Sequence, residues 1–132
     1  MNRTERLLWQ RVKGLYPGVA ARVENGACPG YPDTHGVFLG RDYWVELKVV
    51  RTKVPILSNE CLLRLLQESQ VVWALKRIRY AGYGRLFLLV GFKDYLVLRR
   101  VTIVNGLWVF EPVAASPDPA TVFDKLGEVL CR

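Results

Sequence analysis

The run from Gly30 to Val50, GYPDTHGVFLGRDYWVELKVV, carries the pattern on which the fold turns. Side chains alternate across a strand, so in Tyr43 to Val50 one face takes Tyr43, Val45, Leu47 and Val49 and the other takes Trp44, Glu46, Lys48 and Val50. Both faces are apolar except for Glu46 and Lys48. A strand apolar on both sides belongs inside a sheet covered by helices, and charge placed there needs a partner or a bound ion. A preceding strand fits Thr34 to Leu39, joined through a tight Gly40-Arg41-Asp42 turn, and Pro32-Asp33 stands at its start.

Outward from this hairpin the elements alternate. Asn2 to Leu15 has Leu8, Val12 and Leu15 at helical spacing and ends at Tyr16-Pro17-Gly18. Val19 to Glu24 predicts a first strand, and Asn25 to Pro32 a Gly/Pro-rich turn. After the break at Pro55, Ser58 or Asn59 can cap a helix, or two helices, reaching about Tyr80 and ending at Gly82 and Gly84. Strands follow over Leu86–Phe92 and Tyr95–Leu98. A hairpin over Val101–Phe110 turns at Asn105-Gly106, and a last helix covers about Ala120–Leu130. A short Pro/Ala/Ser segment lies around Ala114–Ala120, and the chain has no internal repeat or low-complexity tract. The expected architecture is one α/β domain over residues 1–132, a mixed sheet flanked by helices with an α-β-β-β-α-β core at about 4–98 and a C-terminal hairpin and helix at 99–132.

The 132 residues suit one compact domain, and 51% hydrophobic against 23% charged residues excludes a disordered tail. Apolar runs stop well short of a membrane span, and the first residues lack the apolar stretch of a signal peptide, so an intracellular, cytoplasmic protein is expected, in the host cytoplasm if the gene is viral. Cys28, Cys61 and Cys131 are far apart, no CxxC occurs and there is a single histidine, which argues against structural zinc and for reduced, packed thiols. The net charge of +7 is uneven: Arg41 to Arg100 holds 12 basic and 5 acidic residues, whereas the remainder balances 7 against 7. That distribution suits a surface that follows phosphates, and equally a generic basic protein.

Asp33 on the neighbouring strand brings a second carboxylate to the level of Glu46. Two carboxylates, a backbone carbonyl and waters are the oxygen ligands that Mg²⁺ prefers, and a lysine beside them can orient water or offset charge on a phosphoryl transition state. With Pro32-Asp33 followed by Glu46-Leu47-Lys48, the sequence resembles the PD-(D/E)xK nuclease superfamily. It is most similar there to the archaeal and phage Holliday-junction resolvases and to the virus-type replication-repair (VRR-NUC) nucleases. The resemblance takes in a first helix with Glu5-Arg6-Leu7-Leu8, the Arg22-Val23-Glu24-Asn25-Gly26 strand and turn, and Gly30-Tyr31-Pro32-Asp33. Gln70, Trp73 and Gly82 fit the helix that VRR-NUC proteins place after the lysine strand, although the stretch from Lys48 to Gln70 is longer than in their pattern. It spans roughly Thr4 to Phe92 and nothing beyond.

The resemblance implies a restriction-endonuclease-like fold and Mg²⁺- or Mn²⁺-dependent hydrolysis of DNA phosphodiesters, leaving 5′-phosphate and 3′-hydroxyl ends. It also implies a preference for branched DNA, as in recombination, repair or phage replication, and a homodimer. Asp33 and Glu46, with the Leu47 carbonyl, are the expected metal ligands, Lys48 the residue that acts on water, Glu5 a supporting ligand and Gln70 an assisting side chain. Arg22, Arg51, Lys53, Lys76, Arg77 and Arg79 are candidate DNA contacts, with Arg64 and Arg85 as further basic positions.

Several of these residues also have structural readings. Asn2 and Glu5 have capping-box spacing, yet Glu5 continues the stripe of Leu8, Val12 and Leu15 toward the sheet. Glu24 suits a solvated strand end. Gln70, Trp73, Arg77 and Tyr80 share one helical stripe, while Val71, Val72, Leu75 and Ile78 form another that suits a core. His35 is expected to point away from its neighbour's face and is given no role. Pro117-Asp118 lacks a following Glu-x-Lys and reads as a turn. Trp108 and Phe110 make the Val101–Phe110 hairpin a dimer surface or a lid on the core. A non-catalytic nucleic-acid-binding module of this fold, an RNA-processing nuclease, and a structural protein in which Glu46 and Lys48 merely pair are the alternatives.

Overall fold

The sheet grows from the Glu46 strand. The computed structural model describes residues 1–23, 30–51, 57–79 and 85–132, with the backbone alone at 80 and 81. The six strands are β1 (Val19–Arg22), β2 (Thr34–Phe38), β3 (Arg41–Val49), β4 (Leu86–Phe92), β5 (Tyr95–Val104) and β6 (Leu107–Ser116). They lie in the order β1-β2-β3-β4-β5-β6; β3 and β4 are parallel and every other neighbouring pair is antiparallel. A parallel pair needs a crossover, and here it is helical: α2 (Asn59–Leu65), capped by the Ser58 side chain, and α3 (Glu68–Ala81). The first helix α1 (Arg3–Val12), continued by a 3₁₀ turn over Lys13–Leu15, and the last, α4 (Pro119–Leu130), cover the opposite face. This is the single α/β domain with a mixed sheet between helices that the sequence predicts.

Two cores result. On the α1/α4 face Tyr43, Val45 and Leu47 pack with Leu8, Trp9, Val12, Phe123 and Leu126. On the α2/α3 face Leu62 and Ala74 pack with Leu86, Leu88, Val90, Val101 and Phe110. β4 is buried along its whole length, as a strand inside a sheet covered on both faces must be.

Turn chemistry fixes the hairpins. Asn105 and Gly106 both have positive φ (51° and 78°), the primed two-residue turn that matches strand twist. The β2–β3 turn falls one residue earlier than expected, on Leu39 and Gly40 at φ 52° and 75°. An exposed leucine in the left-handed region is strained by about 1–2 kcal/mol.

The C-terminal region differs from its expected form. β5 runs unbroken through Arg99-Arg100, so the division near residue 98 falls inside a strand, and the hairpin completes the main sheet. The Arg99 guanidinium donates to the Phe110 carbonyl at 3.2 Å, which lets the charged pair stay in register. β6 takes in Ala114 to Ser116 of the Pro/Ala/Ser segment; it is an edge strand, and Pro112, opposite Arg99, sits at its irregularity. Val101 and Phe110 are 1% exposed and belong to the core, so the hairpin covers its own sheet with them. Cys61 and Cys131 are free and exposed rather than packed, and Cys28 lies outside the described residues. No helix among the described residues is long and apolar enough to cross a membrane.

Candidate metal centre

Strand register brings the two acids together. β2 pairs with β3 through Thr34↔Val45, so Asp33, one residue earlier, stands opposite Glu46 on the α2/α3 face. Thr34 is fully buried; its Oγ1 donates to the Val45 carbonyl at 2.8 Å and lies 2.8 Å from the Tyr16 hydroxyl. Leaving that hydroxyl unpaired would cost about 1–3 kcal/mol, so the entry to β2 is held firmly. Asp33 is held further: its carbonyl accepts from Val23 N–H at 2.8 Å and its Oδ2 from Leu47 N–H at 2.9 Å. A strand residue sends its N–H and C=O to the same side, so the Leu47 carbonyl also faces Asp33.

The Glu46 and Asp33 carboxyl groups lie within hydrogen-bonding reach of each other, and Gln70 Nε2 on α3 donates to Glu46 Oε1 at 2.7 Å. Lys48 Nζ lies 3.7 Å from the same Oε1, with the Lys48 and Glu46 side chains 14% and 6% exposed. Burial pushes the Glu46 carboxyl up to about 9; the hydrogen bond to Asp33, the charge of Asp33 and that of Glu5 push the same way, against Lys48. A cation between the two acids would relieve the same crowding of negative charge that a proton on Glu46 relieves. The donor set fits a hard divalent ion: carboxylates of Asp33 and Glu46, the Leu47 carbonyl, and waters.

Glu5 is buried and forms the capping box: Asn2 Oδ1 accepts from Glu5 N–H at 2.9 Å and Glu5 Oε2 from Asn2 N–H at 3.0 Å. Its carboxylate is close enough to raise the proton affinity of Glu46, but one oxygen is already engaged. No cluster of three or more His, Cys, Asp or Glu suited to a metal forms among the described residues.

The loop before Asp33 is tied to α3 by Gly30, whose φ is 91°; a β-carbon there would lie 2.1 Å from the Ser69 carbonyl oxygen. Only glycine permits this approach, which docks the Asp33 loop beside Gln70. Ile78 packs inward as expected, but α3 turns Val72 and Leu75 outward and packs Trp73 and Ala74 inward instead.

Of the basic positions, Arg51 follows β3 and is exposed. With Lys93, Thr4, Leu7, Val50 and Phe92 it lines an open cleft of about 410 Å³ at the C-terminal end of the parallel pair. Lys93 went unnoticed in the sequence, where a lone lysine in a turn carries no signal. Lys76 and Arg79 on α3 are exposed, as is Arg64, and Arg77 is half-buried on the inward side. Arg22 is in register with Thr34 and so belongs to the α1/α4 face, opposite the acids. Arg85 is buried and donates to the Leu130 carbonyl at the end of α4, 3.2 Å away. Glu24, Lys53, Gly82, Gly84 and the Tyr80 side chain lie outside the described residues.

His35 is on the same face as Asp33, two residues on. Its ring stacks on Trp44 at 4.1 Å, and its Nε2 is 3.2 Å from Asp42 Oδ1. Trp44 and Trp73 meet edge to face at 5.4 Å, and Tyr31 lies 5.9 and 5.4 Å from them. Carrying strand alternation one step beyond Asp33 would have found His35.

No protein-family model matches the chain, and no curated protein is significantly similar to it. Among solved structures the fold is similar to that of Hjc from Archaeoglobus fulgidus, a Holliday junction resolvase from an archaeal hyperthermophile, with a TM-score of 0.54 over 95% of this chain and 99% of that one at 17% identity. The likeness is one of fold.

Proposed function

We propose that this chain is a metal-dependent DNA endonuclease that hydrolyses phosphodiesters in branched DNA, with Asp33, Glu46 and Lys48 at its centre. The observation that carries the proposal is the strand register that sets Asp33 opposite Glu46, with Lys48 3.7 Å from Glu46 in a largely buried setting. The likeness to a resolvase fold and the excess of basic residues between Arg41 and Arg100 support it.

In this reading Asp33, Glu46 and the Leu47 carbonyl would hold Mg²⁺ or Mn²⁺. The ion, when bound, polarises the phosphoryl oxygen and lowers the pKa of a water. Lys48 Nζ would orient the attacking water and offset the charge that develops on the phosphoryl group. Gln70 holds the Glu46 carboxylate by its hydrogen bond, which would keep the other oxygen available as a ligand, the usual duty of a partner behind a ligand. Glu5 adds negative charge nearby. Arg51 and Lys93 contact phosphates flanking the cut, and Lys76 and Arg79 meet more distant ones. A homodimer would serve a four-way junction, which has two strands to cut symmetrically.

The test is cleavage of an end-labelled four-way junction and a matched duplex in Mg²⁺, in EDTA and by Asp33→Asn. The expected result is nicking of the junction by the parent protein in Mg²⁺ alone. Cutting that persists in EDTA or in Asp33→Asn overturns the mechanism. Matched salt-sensitive binding with no cutting under any condition would favour a non-catalytic module.

A further inference from the structure

We infer that the ring cluster of Tyr31, Trp44, Trp73 and His35 is a stacking site for one unpaired nucleobase beside the cleaved phosphate. The inference rests on reading Asp33 and Glu46 as a nuclease centre and specifies what that centre takes in.

The placement is the first ground. Each ring is two or three residues from a member of the centre: Tyr31 precedes Asp33 by two, His35 follows it by two, Trp44 precedes Glu46 by two and Trp73 follows Gln70 by three. Same-face spacing puts His35 and Trp44 one pleat from the acids, helical spacing puts Trp73 one turn from Gln70, and Tyr31, in the segment before β2, lies against the rings of Trp44 and Trp73. Along β3 the order is Trp44, Glu46, Lys48 and then the basic cleft at Arg51, so a nucleic-acid strand laid along β3 meets rings on one side of the acids and cations on the other.

The second ground is incomplete burial. A cluster that only closed the core would turn its rings inward, whereas Tyr31 is 36% exposed and the His35 side chain 31%. Trp44 and Trp73 are half-buried against the α2/α3 core, which holds them rigid. The third is unsatisfied polarity. The Trp44 indole N–H and the Arg77 Nε have no hydrogen-bond acceptor among the described residues. Arg77 is one turn beyond Trp73, where a cation can meet the phosphate of a base stacked on the rings. Rigid rings beside a cation are what single-stranded nucleic acid binds, independently of sequence. A fully paired duplex offers no free base face; a branch point or gap does.

The test is a coupling cycle between one ring and one base. A DNA with a short single-stranded gap at a branch is bound in EDTA, so that cleavage plays no part. An abasic nucleotide is moved through the gap one position at a time, against the parent protein, Tyr31→Ala and Tyr31→Phe. At one position, loss of the base should weaken binding roughly tenfold to a hundredfold for the parent and for Tyr31→Phe, and have little further effect in Tyr31→Ala. Losses of ring and base that are independent at every position, or equal affinity for gapped and intact duplex, overturn the inference. His35→Ala gives a second cycle through an exposed ring. A Mg²⁺ cleavage arm read alongside separates the two ideas: cutting without coupling leaves the nuclease and removes the stacking site, and coupling without cutting does the reverse.

Discussion

Gln70 on α3 donates a 2.7 Å hydrogen bond to Glu46 on β3, joining a helix to the strand that carries the acid. Buried carboxylates rotate unless a partner fixes them, and a fixed partner behind a metal ligand is worth 10–100-fold in affinity or activity. Gln70→Ala should therefore weaken Mn²⁺ binding, measured by calorimetry, by roughly that factor, with little change in melting temperature. Gln70→Glu should do more harm, because it adds a third acid facing Glu46. Unchanged metal affinity in Gln70→Ala would show the contact to be incidental.

Gly30 sets where that glutamine can stand. Its positive φ and its approach to the Ser69 backbone leave no room for a β-carbon. Gly30→Ala should destabilise the protein by about 1–3 kcal/mol, seen in denaturant unfolding. It should also lower cleavage more than stability alone explains, since the Asp33 loop and α3 must part. A neutral substitution would mean that the loop relaxes without disturbing the acids.

The phase of α3 explains why the sequence misplaced its core stripe. Val72 and Leu75 are apolar but face outward, and the rotation is set by Gln70 on Glu46 and Trp73 on Trp44. Hydropathy weighs apolar burial and cannot see a polar contact that fixes a helix. The charges of Glu46 and Lys48 were legible for the opposite reason, standing alone in an apolar strand. β5 was divided at Arg99 and Arg100 because two charges interrupt the pattern, whereas the Phe110 carbonyl accepts one of them. The ring cluster stayed hidden because its members come from three separate segments, joined only by strand register and the packing of α3.

Glu46 makes the metal-free protein sensitive to alkali. Its folded pKa is raised to about 9 from an ordinary 4.5, so between those values the folded state binds a proton that the unfolded chain has lost. Stability from the neutral carboxyl is fully present below about 4.5 and is lost as pH rises toward about 9. In EDTA the melting temperature should fall from pH 5 to pH 8, and Glu46→Gln should flatten that slope. Mg²⁺ should oppose the fall, because a cation between the acids takes the place of the proton. A melting temperature that Glu46→Gln leaves with the same slope over this range in EDTA would place Glu46 in a solvated setting.

Arg51 and Lys93 line the cleft at the C-terminal end of β3 and β4, just past Lys48. If they meet phosphates of a bound duplex arm, each releases a counterion, and the logarithmic dependence of affinity on salt loses about 0.9 in slope for each contact removed. Arg51→Ala and Lys93→Ala should each flatten the slope by that amount, and the double variant by about twice as much. Lys125 is the control: it lies on α4, outside the lining of this cleft, and pairs with Glu128 at 3.2 Å. Lys125→Ala should leave the slope unchanged. Equal slopes for all three variants would move the DNA off this cleft, because a general loss of positive charge acts wherever the charge sits, whereas direct contact is confined to the residues that line the cleft.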